Sequence, residues 1–264
     1  MSGKLIRGAL VVSTVLLGST AQAEMISKRF EYAIGDLLFE GHAVYDDAIE
    51  AKRPGLLMVP NWMGVNDSQI AKAKAIAGQD YVVFVADVYG LDVRPTNTEE
   101  AGKAAQSMYA DRELLRARVN EALAQFRGKA GELPLLPGKI GAIGFCFGGT
   151  TVLDLARSGA DVAGVVSFHG DLGTDDADLA KQLKTSVLVL NGAADTYVSS
   201  DSIRAFEAEM SAVDADWQLV QFGGAVHCFA ESDANSPPGC VHNERAARRA
   251  FGMMNAFFDE RFGN

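Results

Sequence analysis

The sequence predicts an α/β domain, a mostly parallel central sheet with helices on both faces. Three observations carry this. Short apolar runs recur at 56–59, 81–86, 162–168 and 186–190, as expected of strands buried on both sides. Helical patterns separate these runs, and strand–helix–strand alternation implies right-handed crossovers and parallel pairing. The composition, 48% hydrophobic and 22% charged over 264 residues, supplies enough apolar surface to offset chain entropy, which excludes disorder as the main state.

The elements follow in order. Lys4 and Arg7, the apolar stretch 9–17 and Ala21-Gln22-Ala23 form the three-part pattern of a secretory signal peptide over residues 1–23. The expected mature chain, 24–264, is then a soluble exported protein, periplasmic or secreted. Segments 29–34 and 37–45 alternate apolar and polar residues and read as antiparallel strands. A buried strand at 56–59 precedes a helix capped by Asn66 or Asp67 and running to about 78. The strand at 81–86 leads to a long helical pattern from Thr98 to about 126, whose acidic start, Glu99 and Glu100, suits a helix N-terminus. Strands at 139–143, 162–168, 186–190 and 217–222 alternate with helices at 150–157, 176–183 and 201–212, and a helix at 244–262 closes the chain. No repeat or linker interrupts 24–264, which reads as one domain.

Charge narrows the function. Asp and Glu number 34 against 24 Lys and Arg, a formal net charge of −10, which opposes nucleic acid as a partner. Beyond the N-terminal stretch no apolar run approaches the ~20 residues of a membrane span, so no membrane partner is expected after signal cleavage.

The sharpest motif is Gly144-Phe145-Cys146-Phe147-Gly148. It is a G-x-C-x-G version of the nucleophile elbow, placed between a predicted strand and a predicted helix as that motif requires. Glycines permit the tight turn, and the helix N-terminus beyond it offers N–H groups and a favourable dipole to a thiolate and to a developing oxyanion. Asp195 follows the strand at 186–190, and His227 follows the strand at 217–222. Both lie past strand C-termini, the ligand edge of an open α/β sheet. The order nucleophile, acid, histidine matches the order in hydrolases with this elbow. A free thiol has a pKa of about 8.5, and a neighbouring His can take its proton.

These residues resemble the dienelactone hydrolase family. The likeness runs from Phe30-Glu31-Tyr32 and Gly41-His42 through Asn61-Trp62-Met63-Gly64-Val65-Asn66 and Asp87-Val88-Tyr89 to the cysteine elbow. The resemblance implies an α/β-hydrolase fold and hydrolysis of an ester or lactone, and the chain's departures from the family pattern widen the expected substrate to a thioester. It implies Cys146 as nucleophile, His227 as base and then acid, Asp195 orienting His227, and an oxyanion hole from the N–H groups of Trp62 and Phe147. No cofactor or metal is implied. The family's pattern has a Glu in the first loop, where Asn61 stands here. It has two Arg for a substrate carboxylate. Near the first position Arg94 is the nearest candidate, and at the second, four residues past His227, stands Glu231. A carboxylate there would repel an anion, so a neutral or less anionic substrate is expected.

Asn61, Trp62, Tyr89, Arg94 and His169 are the expected substrate contacts, with Tyr197 a weaker candidate. A hydrogen-bonded structural role is the other reading of His169. Cys228 and Cys240 can form a disulfide in an oxidising compartment, or remain two free thiols. The four His lack metal-ligand spacing, and His42 and His242 read as structural. A non-catalytic binding protein on the same fold and a thiol redox protein are the alternative classes. The chain lacks a C-x-x-C pair, which weakens the redox reading.

Overall fold

A computed structural model of the protein describes residues 25–263. The expected signal peptide, 1–23, lies outside them. Strands β1 (Met25–Ile34), β2 (Leu37–Asp46), β3 (Arg53–Val59), β4 (Val82–Val85), β5 (Leu135–Phe145), β6 (Gly164–Phe168), β7 (Ser186–Gly192) and β8 (Trp217–Phe222) form one sheet, ordered β1-β2-β4-β3-β5-β6-β7-β8. β1 pairs antiparallel with β2, and β2 with β4. From β4 onward every pairing is parallel.

Period-two alternation divides the sheet into two cores. Leu57, Val59, Val82, Phe84, Val187 and Val189 face one layer. There they meet the buried faces of α2 (Thr98–Tyr109), α3 (Arg112–Gly128), α4 (Phe147–Arg157) and α5 (Ser200–Ala212). Leu56, Met58, Val83, Val85, Leu188 and Leu190 face the other, against α1 (Asp67–Ala77) and α6 (Glu244–Phe262). Each of these strand side chains is essentially inaccessible, and burying one contributes on the order of 1.5–3 kcal/mol. Among the described residues no helix is long and apolar enough to cross a membrane.

The structure departs from the expected elements where short polar side chains compete for the backbone. The helix expected at 98–126 is two helices, because the Asp111 carboxylate accepts from Leu114 N and caps α3. Such a cap typically stabilises by about 1 kcal/mol, enough to favour a break. The helix expected at 176–183 is only a 3-10 turn at Leu179–Gln182, and just before it Asp176 accepts from Asp178 N (2.9 Å). A further hairpin, β9 (Asn235–Ser236) with β10 (Cys240–Val241), surrounds Pro237-Pro238-Gly239.

Candidate active site

The elbow between β5 and α4 is built by close backbone approach. A Cβ on Gly144 would sit 2.0 Å from the Gly148 carbonyl oxygen, and one on Gly148 would sit 2.1 Å from that of Val59. Only hydrogen fits at either place. Cys146 takes φ 53° and ψ −117°, a conformation that costs a non-glycine residue about 1–3 kcal/mol. It is held there by its own N–H, shared between the Phe168 carbonyl (3.0 Å) and His169 Nδ1 (3.1 Å).

Three loops past parallel strands meet at this thiol. His227 Nε2 lies 3.1 Å from Cys146 Sγ, and His227 Nδ1 lies 2.8 Å from Asp195 Oδ2. The Asp195 side chain is fully buried, and its other oxygen accepts from Tyr197 N at 2.8 Å. Burial alone would depress the basicity of His227. The hydrogen bonds to Asp195 and Cys146, together with their charges, outweigh it and push the pKa up to about 10.

Among the described residues neither the Trp62 nor the Phe147 N–H has an acceptor. Phe147 opens α4, where the first-turn N–H groups are free by construction. The Asn61–Trp62 peptide is fixed from its other side, since Gly64 N donates to the Asn61 carbonyl at 2.9 Å. Beside these groups lies a cavity of about 610 Å³ lined by Cys146, His227, Trp62 and Phe147. Tyr109, Arg112, Asp171 and Tyr197 also line it, as do Cys228 and Cys240, which are joined in a disulfide. A separate cavity of about 520 Å³ lies between α1 and α6 and does not reach Cys146. Among the described residues no group of three His, Cys, Asp or Glu side chains is arranged to hold a metal ion.

Four expected substrate contacts are not in the cavity wall. Asn61 donates through Nδ2 to Glu231 (3.1 Å) and accepts at Oδ1 from Met63 N (3.0 Å), so both ends of its amide are engaged. Tyr89 is buried, and its hydroxyl donates to the Trp62 carbonyl at 3.0 Å. It braces the loop from behind the cavity wall. Arg94 is spent on Asp87 (2.9 Å) and on the Gly90 carbonyl. His169 is fully buried and neutral, because burial holds its pKa well below the ordinary value, helped by His227 and Lys72. It holds the backbone of Cys146. Glu231 also differs from expectation. It is 2% exposed and ion-paired with Lys72, so its charge is met inside the fold.

Arg112 and Asp171 were not legible as site residues, because no local pattern marks them. Arg112 Nε and Nη2 bind both oxygens of buried Asp154, at 2.9 and 2.7 Å, so its charge is already answered. Among the described residues no cationic side chain pairs with Asp171, which is exposed at the cavity.

Known proteins agree with this architecture. A sequence profile of the dienelactone hydrolase family matches residues 39–262. The crystal structure of a dienelactone hydrolase-like promiscuous phosphotriesterase from metagenomic libraries is 32% identical. The superposition covers 90% of this chain and 99% of that one, with a TM-score of 0.83. The solved protein m3DLH is 30% identical over 89% of this chain and 98% of its own, with a TM-score of 0.82. Protein K02A2.1 of Caenorhabditis elegans is 36% identical over 128 residues, which is 47% of this chain and 81% of that protein. With the profile spanning most of its length and the α/β-hydrolase sheet beneath it, this chain belongs to the dienelactone hydrolase family and is a hydrolase of carboxylic esters or lactones.

Proposed function

We propose that the chain hydrolyses esters, lactones or thioesters through a thioester on Cys146, with His227 and Asp195 completing the triad. The observation that carries this reading is the unbroken line from Cys146 Sγ to His227 Nε2 (3.1 Å) and from His227 Nδ1 to Asp195 Oδ2 (2.8 Å). His227 takes the proton of the Cys146 thiol, in keeping with the raised pKa of the imidazole. The thiolate attacks the carbonyl carbon, and the carbonyl oxygen becomes an oxyanion between the N–H groups of Trp62 and Phe147. Removing one such donor typically costs about 10²–10³ in rate. His227 then gives its proton to the leaving alkoxide, and the thioester remains.

Acylation changes His227 in the useful direction. The Cys146 charge and hydrogen bond are two of the influences that raise its pKa, and both end when sulfur is acylated. The imidazole that remains is a base. It takes a proton from water, the hydroxide oxygen attacks the thioester, and Cys146 leaves as thiolate. Asp195 fixes the Nδ1–H tautomer throughout.

The substrate in this reading carries no strongly held anionic group. Arg94 is committed to Asp87 and Arg112 to Asp154, so among the described residues the cavity offers no free guanidinium, while Asp171 adds a carboxylate. Aromatic rings of Trp62, Tyr109, Phe147 and Tyr197 supply the apolar wall. The proposal includes export guided by residues 1–23, and the Cys228–Cys240 disulfide supports an oxidising compartment.

The test is a panel of neutral aryl esters and lactones matched to anionic analogues, with Cys146→Ala alongside. The expected result is turnover of the neutral compounds, lost in the variant, with the anionic partners slower. Turnover that survives Cys146→Ala would overturn the triad, and a preference for the carboxylate-bearing substrate would overturn the specificity.

A further inference from the structure

Behind the oxyanion loop runs a buried polar chain whose members come from three elements. Lys72 and Gln69 stand on α1, Asn61 follows β3, and Glu231 lies in the loop after His227. The Lys72 and Glu231 side chains are 8% and 3% exposed and form an ion pair. Lys72 Nζ also donates to Gln69 Oε1 (3.1 Å) and lies 4.3 Å from the centre of the Phe145 ring. Glu231 accepts from Asn61 Nδ2 (3.1 Å), and its own N–H donates to the Cys228 carbonyl (2.9 Å), next to His227.

The polarity of this chain is determined at each joint. A carboxylate only accepts and a backbone N–H only donates. Glu231 therefore requires the Nδ2 end of Asn61, and Met63 N–H requires the Oδ1 end (3.0 Å). With Gly64 N–H on the Asn61 carbonyl (2.9 Å), the 61–64 turn is held from the side chain and the backbone together. The Asn61 carbonyl and the Trp62 N–H belong to one planar peptide, so anchoring the oxygen turns the N–H the opposite way.

We propose that Lys72, Glu231 and Asn61 are positioning residues for the oxyanion hole. The Lys72–Glu231 pair orients the Asn61 amide, and that amide holds the Trp62 N–H in the orientation that stabilises the tetrahedral intermediate. The chain also couples the oxyanion loop to the His227 loop through Glu231. None of the three touches substrate. The inference rests on the thioester mechanism proposed above.

A readout that depends on the hole must be compared with one that does not. Acylation by an aryl ester needs the oxyanion donor. Alkylation of the same thiol by iodoacetamide is a displacement at carbon and forms no oxyanion. Asn61→Asp keeps an acceptor for Met63 N–H but loses the donor to Glu231. Glu231→Gln removes the charge that orients Asn61. Each is expected to slow acylation by about 10-fold or more, with KM little changed and the alkylation rate within about 3-fold of wild type. The double variant Asn61→Asp with Glu231→Gln restores a donor–acceptor pair with reversed polarity between the two positions and keeps an amide oxygen to accept from Lys72. It is expected to recover most of the acylation rate. Asn61→Ala, which leaves the buried ion pair intact, covers the case in which either single variant folds poorly.

Acylation unchanged in Asn61→Ala and Asn61→Asp would overturn the proposal. Equal losses of acylation and alkylation would also overturn it, by showing a general disturbance of the site. Failure of the underlying mechanism looks different, because wild type itself would then form no acyl-thiol.

Discussion

Two glycine-bearing turns carry the proposed nucleophile and its histidine, and they are held differently. Gly144-Phe145-Cys146-Phe147-Gly148 is fixed by backbone contact, with no room for a Cβ at either outer glycine. Gly223-Gly224-Ala225-Val226-His227 is open, and a Cβ on Gly223 would meet nothing within 4 Å. Apart from the close packing of the Ala225 carbonyl on Gly192, its order comes from bonds made by the residues around it. Asp195 holds the His227 ring, Val241 N donates to the His227 carbonyl at 3.2 Å, and the Cys228–Cys240 disulfide closes the loop behind it. The nucleophile turn is therefore steric and all-or-none. The histidine turn is an assembly of separable parts, and its failures should be graded.

The largest effect expected at the histidine turn comes from its buried carboxylate. Asp195→Asn keeps the shape but cannot support the imidazolium or enforce the tautomer. The same replacement in serine triads costs about 10⁴-fold in kcat, and a drop of that order in esterase kcat is expected. A loss under 10-fold would separate Asp195 from the chemistry.

The comparison sharpens with a matched glycine pair. Gly148→Ala pushes the Val59 and Pro60 carbonyls, which a Cβ would meet at 2.1 and 2.4 Å. Those residues lead directly into Asn61 and Trp62, so acylation should fall by about 10²–10³, the scale of one lost oxyanion donor. Gly223→Ala should stay within about 2-fold of wild type. Equal behaviour of the two would erase the distinction between the turns.

Much of this architecture is written in the sequence, and the reasons some of it is not are local. Strands such as Leu56 to Val59 and Val187 to Leu190 are legible because double-sided burial demands unbroken apolar runs. Cys146, Asp195 and His227 are legible because each follows such a strand. The break at Asp111 escapes a periodicity reading, since the apolar stripe continues across it and only the cap interrupts the backbone. The Lys72–Glu231 pair spans 159 residues, and nothing local in either segment announces it. Read through the family resemblance, Glu231 is a repulsive charge at the substrate. In the structure it is a buried partner of Lys72. Arg94 reads as a substrate contact for the same reason, because sequence does not reveal that Asp87 already holds it.

The disulfide should yield a moderate effect. Replacing both Cys228 and Cys240 with Ser should lower stability by about 2–5 kcal/mol, the range for native bridges, read as a shifted denaturation midpoint. Activity below the transition should fall less than it does in Asp195→Asn, because Asp195 and Val241 still hold His227. Complete inactivation of a folded double variant would mean that the bridge, and not the carboxylate, sets the ring.

The smallest change lies in the proton on His227. By NMR its ring should titrate near pH 10 in wild type. In Cys146→Ala the midpoint should move down, because a hydrogen bond and a negative charge that favour the imidazolium are gone while burial still opposes it. An unchanged midpoint would uncouple His227 from the thiol.

The most direct test of the mechanism is rapid-quench intact-mass analysis of protein mixed with a neutral aryl ester, followed by peptide mapping. The account predicts one acyl group per chain, on the peptide containing Cys146, appearing before steady state and discharging when ester is exhausted. Turnover with no adduct on that peptide, or with the acyl group on another residue, would contradict it.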